Sequence, residues 1–138
     1  MSLPPFHLAF PVDDLAAARR FYGELLCCPE GRSADEWVDF DLHGHQIVAH
    51  LAPAQTRSTN PVDREEVPVP HFGLVLAMEQ WKSLAKRLED AGTEFVIPPT
   101  VRFKGQPGEQ ATMFLLDPAG NALEFKAMAN PANLFATN

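Results

Sequence analysis

The chain has 138 residues, 46% of them apolar, 21% charged and 9% aromatic, which is the composition of an ordinary soluble globular domain. With 18 acidic against 11 basic residues the net charge is −7, and no Lys/Arg stripe is present, so a nucleic-acid or anionic-membrane partner is excluded in favour of a small molecule. No apolar run approaches the ~20 residues of a membrane span, and Met1-Ser2-Leu3-Pro4-Pro5 lacks the basic and apolar regions of a secretory leader, so the chain reads as cytoplasmic.

Phe6 to Val12 alternates as a strand should, with Phe6, Leu8 and Phe10 on one face and His7 and Ala9 on the other. A helix is predicted next: Asp13 suits the N-cap, Asp14 the first turn, and Leu15, Ala18, Phe21 (or Tyr22) and Leu25 recur at helical spacing until Pro29 and Gly31. Cys27 and Cys28 are adjacent and lack any distant partner or zinc-type spacing, so they read as reduced packing thiols. Trp37–Leu42 and Gln46–Leu51 form a predicted hairpin across His43-Gly44-His45. Residues 53–69 turn to Pro, Asn, Thr and charge, including the solvated run Arg64-Glu65-Glu66, and read as a linker rather than an element. The pattern then restarts: a strand at His71–Leu76, a helix marked by Trp81, Leu84, Ala85 and Leu88 ending near Gly92, and strands at Phe95–Ile97, Ala111–Leu116 and Ala122–Ala127.

The restart is an internal repeat. His7-Leu8-Ala9-Phe10 and His71-Phe72-Gly73-Leu74 share the order His, apolar, small, apolar, and Gly44-His45-Gln46-Ile47 aligns with Gly120-Asn121-Ala122-Leu123. Each module is β-α-β-β with room for one more strand, module one spanning about 5–52 and module two about 70–128 of a single domain, 1–138. A pseudo-two-fold relation makes His7 and His71 equivalent, and strand parity puts both opposite the large apolar residues that face the helices. The same parity places Glu124, between Leu123 and Phe125, on their side of the sheet. A carboxylate at an apolar strand centre is costly unless a cation or hydrogen bonds satisfy it. Two histidines and one carboxylate match the facial set that leaves positions of non-haem Fe(II) open. A core of this size stands without a structural metal, so a metal here is free to serve chemistry.

Through His7-Leu8-Ala9-Phe10-Pro11-Val12, Ala18-Arg19-Arg20-Phe21-Tyr22, Pro70-His71-Phe72-Gly73 and Asp117-Pro118-Ala119-Gly120-Asn121-Ala122-Leu123-Glu124-Phe125, the chain resembles the vicinal oxygen chelate superfamily of glyoxalases, bleomycin-resistance proteins and extradiol dioxygenases. It looks most like the small single-domain members described as extradiol-type dioxygenases. The resemblance implies an α+β fold of two βαβββ modules curled round a metal cup, a homodimer, and a divalent metal: Fe(II) first, with Mn, Zn or Ni as alternatives. Aligning Gly44 with Gly120 sets Val48 opposite Glu124, so the site has three protein ligands, as in extradiol enzymes, where glyoxalase-type isomerases use four.

His50, two residues beyond Val48 and on the same face, suits the acid-base work of extradiol cleavage. The loop Arg102–Gln110 carries Arg102 and Lys104 as candidates for a substrate carboxylate, and Trp37, beside Asp39 and Asp41, is a further candidate substrate contact. The functional expectation is O2 insertion into a catechol-like small molecule. Its rivals are a Zn- or Ni-dependent lyase or isomerase acting on a thiol adduct, and a non-enzymatic drug-binding resistance protein.

Overall fold

The computed structural model describes residues 3–53, 58–62 and 65–137. Two compact units are present, Met1–Thr56 with Asp117–Asn121, and Arg57–Leu116 with Ala122–Asn138.

In the first unit β1 (His7–Val12) leads to α1 (Leu15–Ala18), whose N-cap is Asp14, one residue after the expected Asp13, its carboxylate accepting the Ala17 N–H at 3.1 Å. The helix then widens into a π-helical stretch, Arg19–Leu25, closed by the Leu26 N–H to the Phe21 carbonyl at 2.9 Å. That extra width turns both Phe21 and Tyr22 into the core, where helical periodicity had left a choice between them. The Tyr22 ring lies 5.2 Å from that of Phe10 and 5.4 Å from that of Phe40. β2 (Glu30–Ala34), β3 (Trp37–Leu42) and β4 (His45–Leu51) complete a sheet of order β1-β4-β3-β2, in which β1 runs parallel to β4. The β3–β4 turn is His43-Gly44, with φ of 52° and 90°, the left-handed pair that a two-residue hairpin demands. Cys28 is a buried thiol pushed up to about 11 by burial, then by Asp41 and Cys27, whereas Cys27 is exposed, so the packing role falls to Cys28 alone.

The loop Asp117–Asn121 acts as a clamp within this unit. Buried Asp117 accepts the Tyr22 hydroxyl at 2.7 Å, the Ala119 and Asn121 N–H groups at 3.0 and 2.8 Å, and the Asn121 side-chain amide at 2.9 Å. The Asn121 amide also reaches the Pro11 carbonyl at 2.7 Å. Burial first, and then the Asp117 charge, hold the Tyr22 phenol well above its ordinary value, so it stays a donor.

In the second unit a hairpin, β5 (Ser58–Val62) and β6 (Glu65–Val69), occupies the stretch expected to be a linker. Its Pro residues are tolerated because a two-stranded ribbon is all edge, and Val67 gives it an anchor by packing with Ile97 and Phe114. Arg64 of the predicted charge run lies outside the described residues. β7 (His71–Val75), α2 (Met78–Asp90), β8 (Phe95–Arg102), β9 (Gln110–Leu116) and β10 (Ala122–Met128) follow, in sheet order β7-β10-β9-β8 with β7 parallel to β10. α2 packs on β10, where the Trp81 indole N–H donates to the Phe125 carbonyl at 2.8 Å. β8 was expected to stop at Ile97, before Pro98-Pro99. It continues to Arg102 because it is an edge strand whose register shifts absorb both prolines.

The two sheets therefore repeat one βαβββ order strand for strand, the α+β architecture expected from the sequence.

Candidate metal centre

In the second sheet, cross-strand register assigns His71 and Gly73 of β7, Glu124 and Lys126 of β10, Phe114 and Thr112 of β9, and Arg102 of β8 to one face. Leu123, Phe125, Met113 and Leu115 fall on the other, and all four are buried. β7 and β10 approach so closely that a Cβ at Gly73 would collide with the Glu124 backbone carbonyl.

His71 and Glu124 meet on this face, Nε2 to Oε1, at 3.3 Å, with side chains 29% and 15% exposed. The other ring nitrogen, Nδ1, lies 2.7 Å from the Pro68 carbonyl, which only accepts, so Nδ1 carries a proton and donates it there. A neutral His71 consequently turns an Nε2 lone pair toward the carboxylate. Only a cation between the two, a proton or a metal ion, makes that arrangement favourable. The second carboxylate oxygen, Oε2, accepts the hydroxyl of fully buried Thr112 at 2.5 Å. Hydrogen bonding to Glu124 is the main cause that raises the His71 pKa above its ordinary value, against the effect of burial. Burial pushes Glu124 up, but the bonds from His71 and Thr112 and the nearby Lys126 outweigh it and hold the carboxyl below its ordinary value.

In the first sheet the register pairs His7 with Gln46, Ala9 with Val48 and Pro11 with His50, and across β3 it pairs Asp41, Asp39 and Trp37 with the same β4 residues. These residues share a face, as parity required, while Phe10, Ile47, Ala49, Phe40 and Val38 fill the core on the other. Val48 holds the place that Glu124 holds in the second sheet, since Ala9↔Val48 corresponds to Gly73↔Glu124. The His7 Nδ1 lies 2.7 Å from the Gln46 amide oxygen, so this ring too donates from Nδ1 and keeps Nε2 as a lone-pair donor. Asp39, Asp41, His45 and Gln46 border a cavity of about 320 Å³.

The structure thus brings together His71 and Glu124 in the second unit, whereas His7 belongs to the first. Among the described residues no group of three or more His, Cys, Asp or Glu side chains stands ready to hold a metal ion. The donor set nevertheless fits a divalent cation, because each histidine has one nitrogen committed to an oxygen acceptor and the other left with its lone pair. His50, the penultimate residue of β4, is exposed on the Val48 face and in register with Trp37, which is half-buried. Arg102 is a strand residue, not part of the loop expected to carry it; it is 4% exposed, with its guanidinium 5.8 Å from the Phe114 ring centroid. Lys104 stands exposed in the loop that follows. Sequence reasoning missed Thr112, Pro68, Gln46 and Asp39. Only Thr112 left a signal, as a hydroxyl in the otherwise apolar run Ala111–Leu116.

A family model described as Glyoxalase/Bleomycin resistance protein/Dioxygenase superfamily matches residues 5–125. Among solved structures, the chain is similar to a glyoxalase/bleomycin resistance protein/dioxygenase from Alicyclobacillus acidocaldarius, at 32% identity over 96% of each chain and a TM-score of 0.82. The fold is shared with the fosfomycin resistance protein FosX of Listeria monocytogenes, at 20% identity over 97% of this chain and 100% of that one, TM-score 0.71. A putative glyoxalase family protein of Bacillus anthracis also shares it, at 18% identity over 93% and 97%, TM-score 0.65. No curated protein matches the sequence.

Proposed function

The chain belongs to the glyoxalase/bleomycin resistance protein/dioxygenase superfamily, and we propose that within it this protein is a homodimeric, divalent-metal enzyme of extradiol dioxygenase type. His7, His71 and Glu124 are its metal ligands, Fe(II) its metal, and a catechol-like small molecule with O2 its substrates. The observation that carries this reading is the His71 Nε2 held toward a Glu124 oxygen while its Nδ1 is tied to a carbonyl, an arrangement that favours a cation between the two. The chemistry such an ion supplies is to gather the diol with O2 and to lower the diol's proton affinity.

The chain's own residues have separable tasks in this reading. Pro68 and Gln46 fix the two imidazoles by accepting from Nδ1, and Thr112 fixes the carboxylate through Oε2. Val48, a hydrocarbon at the first-module position equivalent to Glu124, offers no fourth ligand, which favours the three-ligand set over the four-ligand isomerases. His50 takes the diol proton, being exposed on the same face one strand repeat away. Arg102 and Lys104 attract a substrate carboxylate, and Trp37 offers a flat apolar contact.

Metal analysis of anaerobically purified protein, followed by O2 consumption over a panel of catechols, tests the reading. Iron with uptake is expected, and His50→Gln should keep the iron while lowering turnover by ~10²–10⁴-fold. Zinc or nickel without uptake would replace the dioxygenase by a lyase or isomerase. A protein that binds no metal would be a binder.

A further inference from the structure

We infer that Asp39 and Gln46 form a relay that sets the tautomer and orientation of His7, making Asp39 a positioning residue two hydrogen bonds away from the ring nitrogen it controls. The inference deepens the metal-centre reading, since its consequence for function assumes that His7 is a ligand, but its geometry lies wholly within the first unit.

Asp39 is 8% exposed, in mid-strand on β3, and its Oδ2 lies 3.0 Å from the Gln46 side-chain nitrogen. An ionised carboxylate cannot donate, so Gln46 must present its NH2 to Asp39. An amide has only two ends, so its oxygen is then turned to His7, whose Nδ1 it meets at 2.7 Å. The amide oxygen in turn cannot donate, so the proton of the neutral imidazole sits on Nδ1 and the lone pair on Nε2. One buried charge therefore dictates, through a single amide, which nitrogen of His7 is free to bind a cation. Neutral imidazole in water favours the opposite tautomer, with the proton on Nε2, so the relay works against the intrinsic preference of the ring.

His71 reaches the same protonation pattern by a different route, a backbone carbonyl at Pro68. A main-chain carbonyl needs no further support, because it cannot flip. The residue matching Gln46 in the second module is Ala122, and the residue matching Asp39 is Phe114, which meets His71 as an edge-on ring at 4.9 Å. The first module lacks the carbonyl route and holds its histidine with a side-chain amide, which can flip, and a carboxylate that prevents the flip.

The test uses 15N-detected imidazole correlations of the metal-free protein, recorded as a pH series carried up to the limit at which the spectra no longer change and both rings are neutral. Wild type is expected to show His7 and His71 both protonated on Nδ1. In Gln46→Leu, and to a lesser extent in Asp39→Leu, the His7 signal should move to the Nε2–H pattern while His71 is unchanged, which also reports that the fold is intact. A wild-type His7 already protonated on Nε2, or a His7 signal indifferent to Gln46→Leu, would overturn the relay. Should both variants fail to fold, the wild-type spectrum alone still decides. Zinc titration of the folded variants then reads the consequence for binding, with affinity expected to fall ~10–100-fold. A His7 tautomer that shifts as described in a protein that never binds metal would uphold the relay and remove the metal reading, so the two failures are distinguishable.

Discussion

His71 and Glu124, 53 residues apart in sequence but on adjacent parallel strands, face each other at 3.3 Å with the histidine's second nitrogen already committed to Pro68. In the metal-free protein that contact is an ion pair whenever the imidazole is protonated, and its pH dependence has a definite sign. The folded His71 pKa is raised above 6.5, so its contribution is complete below that value and is lost as pH rises through the folded value. The folded Glu124 pKa lies below 4.5, so its contribution is complete above that value and is lost as pH falls through the folded one. These are two views of one interaction and do not add. Thermal melts in chelator should therefore show the largest gap between wild type and His71→Gln at pH 4.5 to 6.5. A gap that widens above that window would mean the neutral ring, not the imidazolium, is the stabilised form.

Thr112→Val tests how the carboxylate is held. The substitution keeps shape and burial but removes the hydroxyl that donates to Glu124 Oε2 at 2.5 Å. The freed carboxylate loses its fixed rotamer, and metal affinity should drop by ~10–100-fold, as for other groups that hold a ligand in place. Isothermal titration with Zn(II) reads the loss, and circular dichroism shows that the strand is kept. Unchanged affinity would make Thr112 a packing residue only.

The repeat was legible because its signals are local. Parity along His7–Phe10 and Asn121–Phe125, together with the aligned Gly44 and Gly120, anticipated which faces His7, His71, Val48 and Glu124 occupy, and the observed registers agree. What remained hidden depends on partners distant in sequence. Gln46 and Asp39 are ordinary polar residues until β1, β4 and β3 are laid side by side, and Pro68 matters only through its carbonyl. Composition misled at Ser58–Val62 and Glu65–Val69, where prolines suggested a linker but an edge ribbon needs few inward N–H donors. The Asp117-Pro118-Ala119-Gly120-Asn121 segment, read as part of a family resemblance, is a hydrogen-bonded clamp whose buried carboxylate has structural partners.

Tyr22→Phe addresses that clamp. Asp117 keeps three donors but loses the shortest, and a buried carboxylate short of one bond costs roughly 1–3 kcal/mol. Urea unfolding should show a lower midpoint with an unchanged slope. Zinc affinity should stay at the wild-type level, because the phenol lies in the core of the first unit and touches none of the proposed ligands. A variant as stable as wild type would mean that the two Asn121 bonds and the Ala119 N–H suffice.

Gly73→Ala separates the contribution of strand contact from that of side chains. β7 and β10 are parallel neighbours, and the obstacle to a Cβ at Gly73 is the Glu124 carbonyl, a backbone group that no rotamer change can move aside. The strands must part, which disrupts the ladder between them and draws His71 away from Glu124. A loss above about 4 kcal/mol, in the range reserved for backbone and core disruption, is expected, and soluble yield and melting temperature will report it. The first module supplies the control. Ala9 occupies the equivalent place against Val48, so β1 and β4 already accommodate a methyl group there, and Ala9→Gly should cost only roughly 0.5–1 kcal/mol. Gly73→Ala with wild-type stability would show that the β7–β10 ladder can relax, and the His71–Glu124 distance would then be set by the side chains and whatever cation they hold rather than by the closeness of the two backbones.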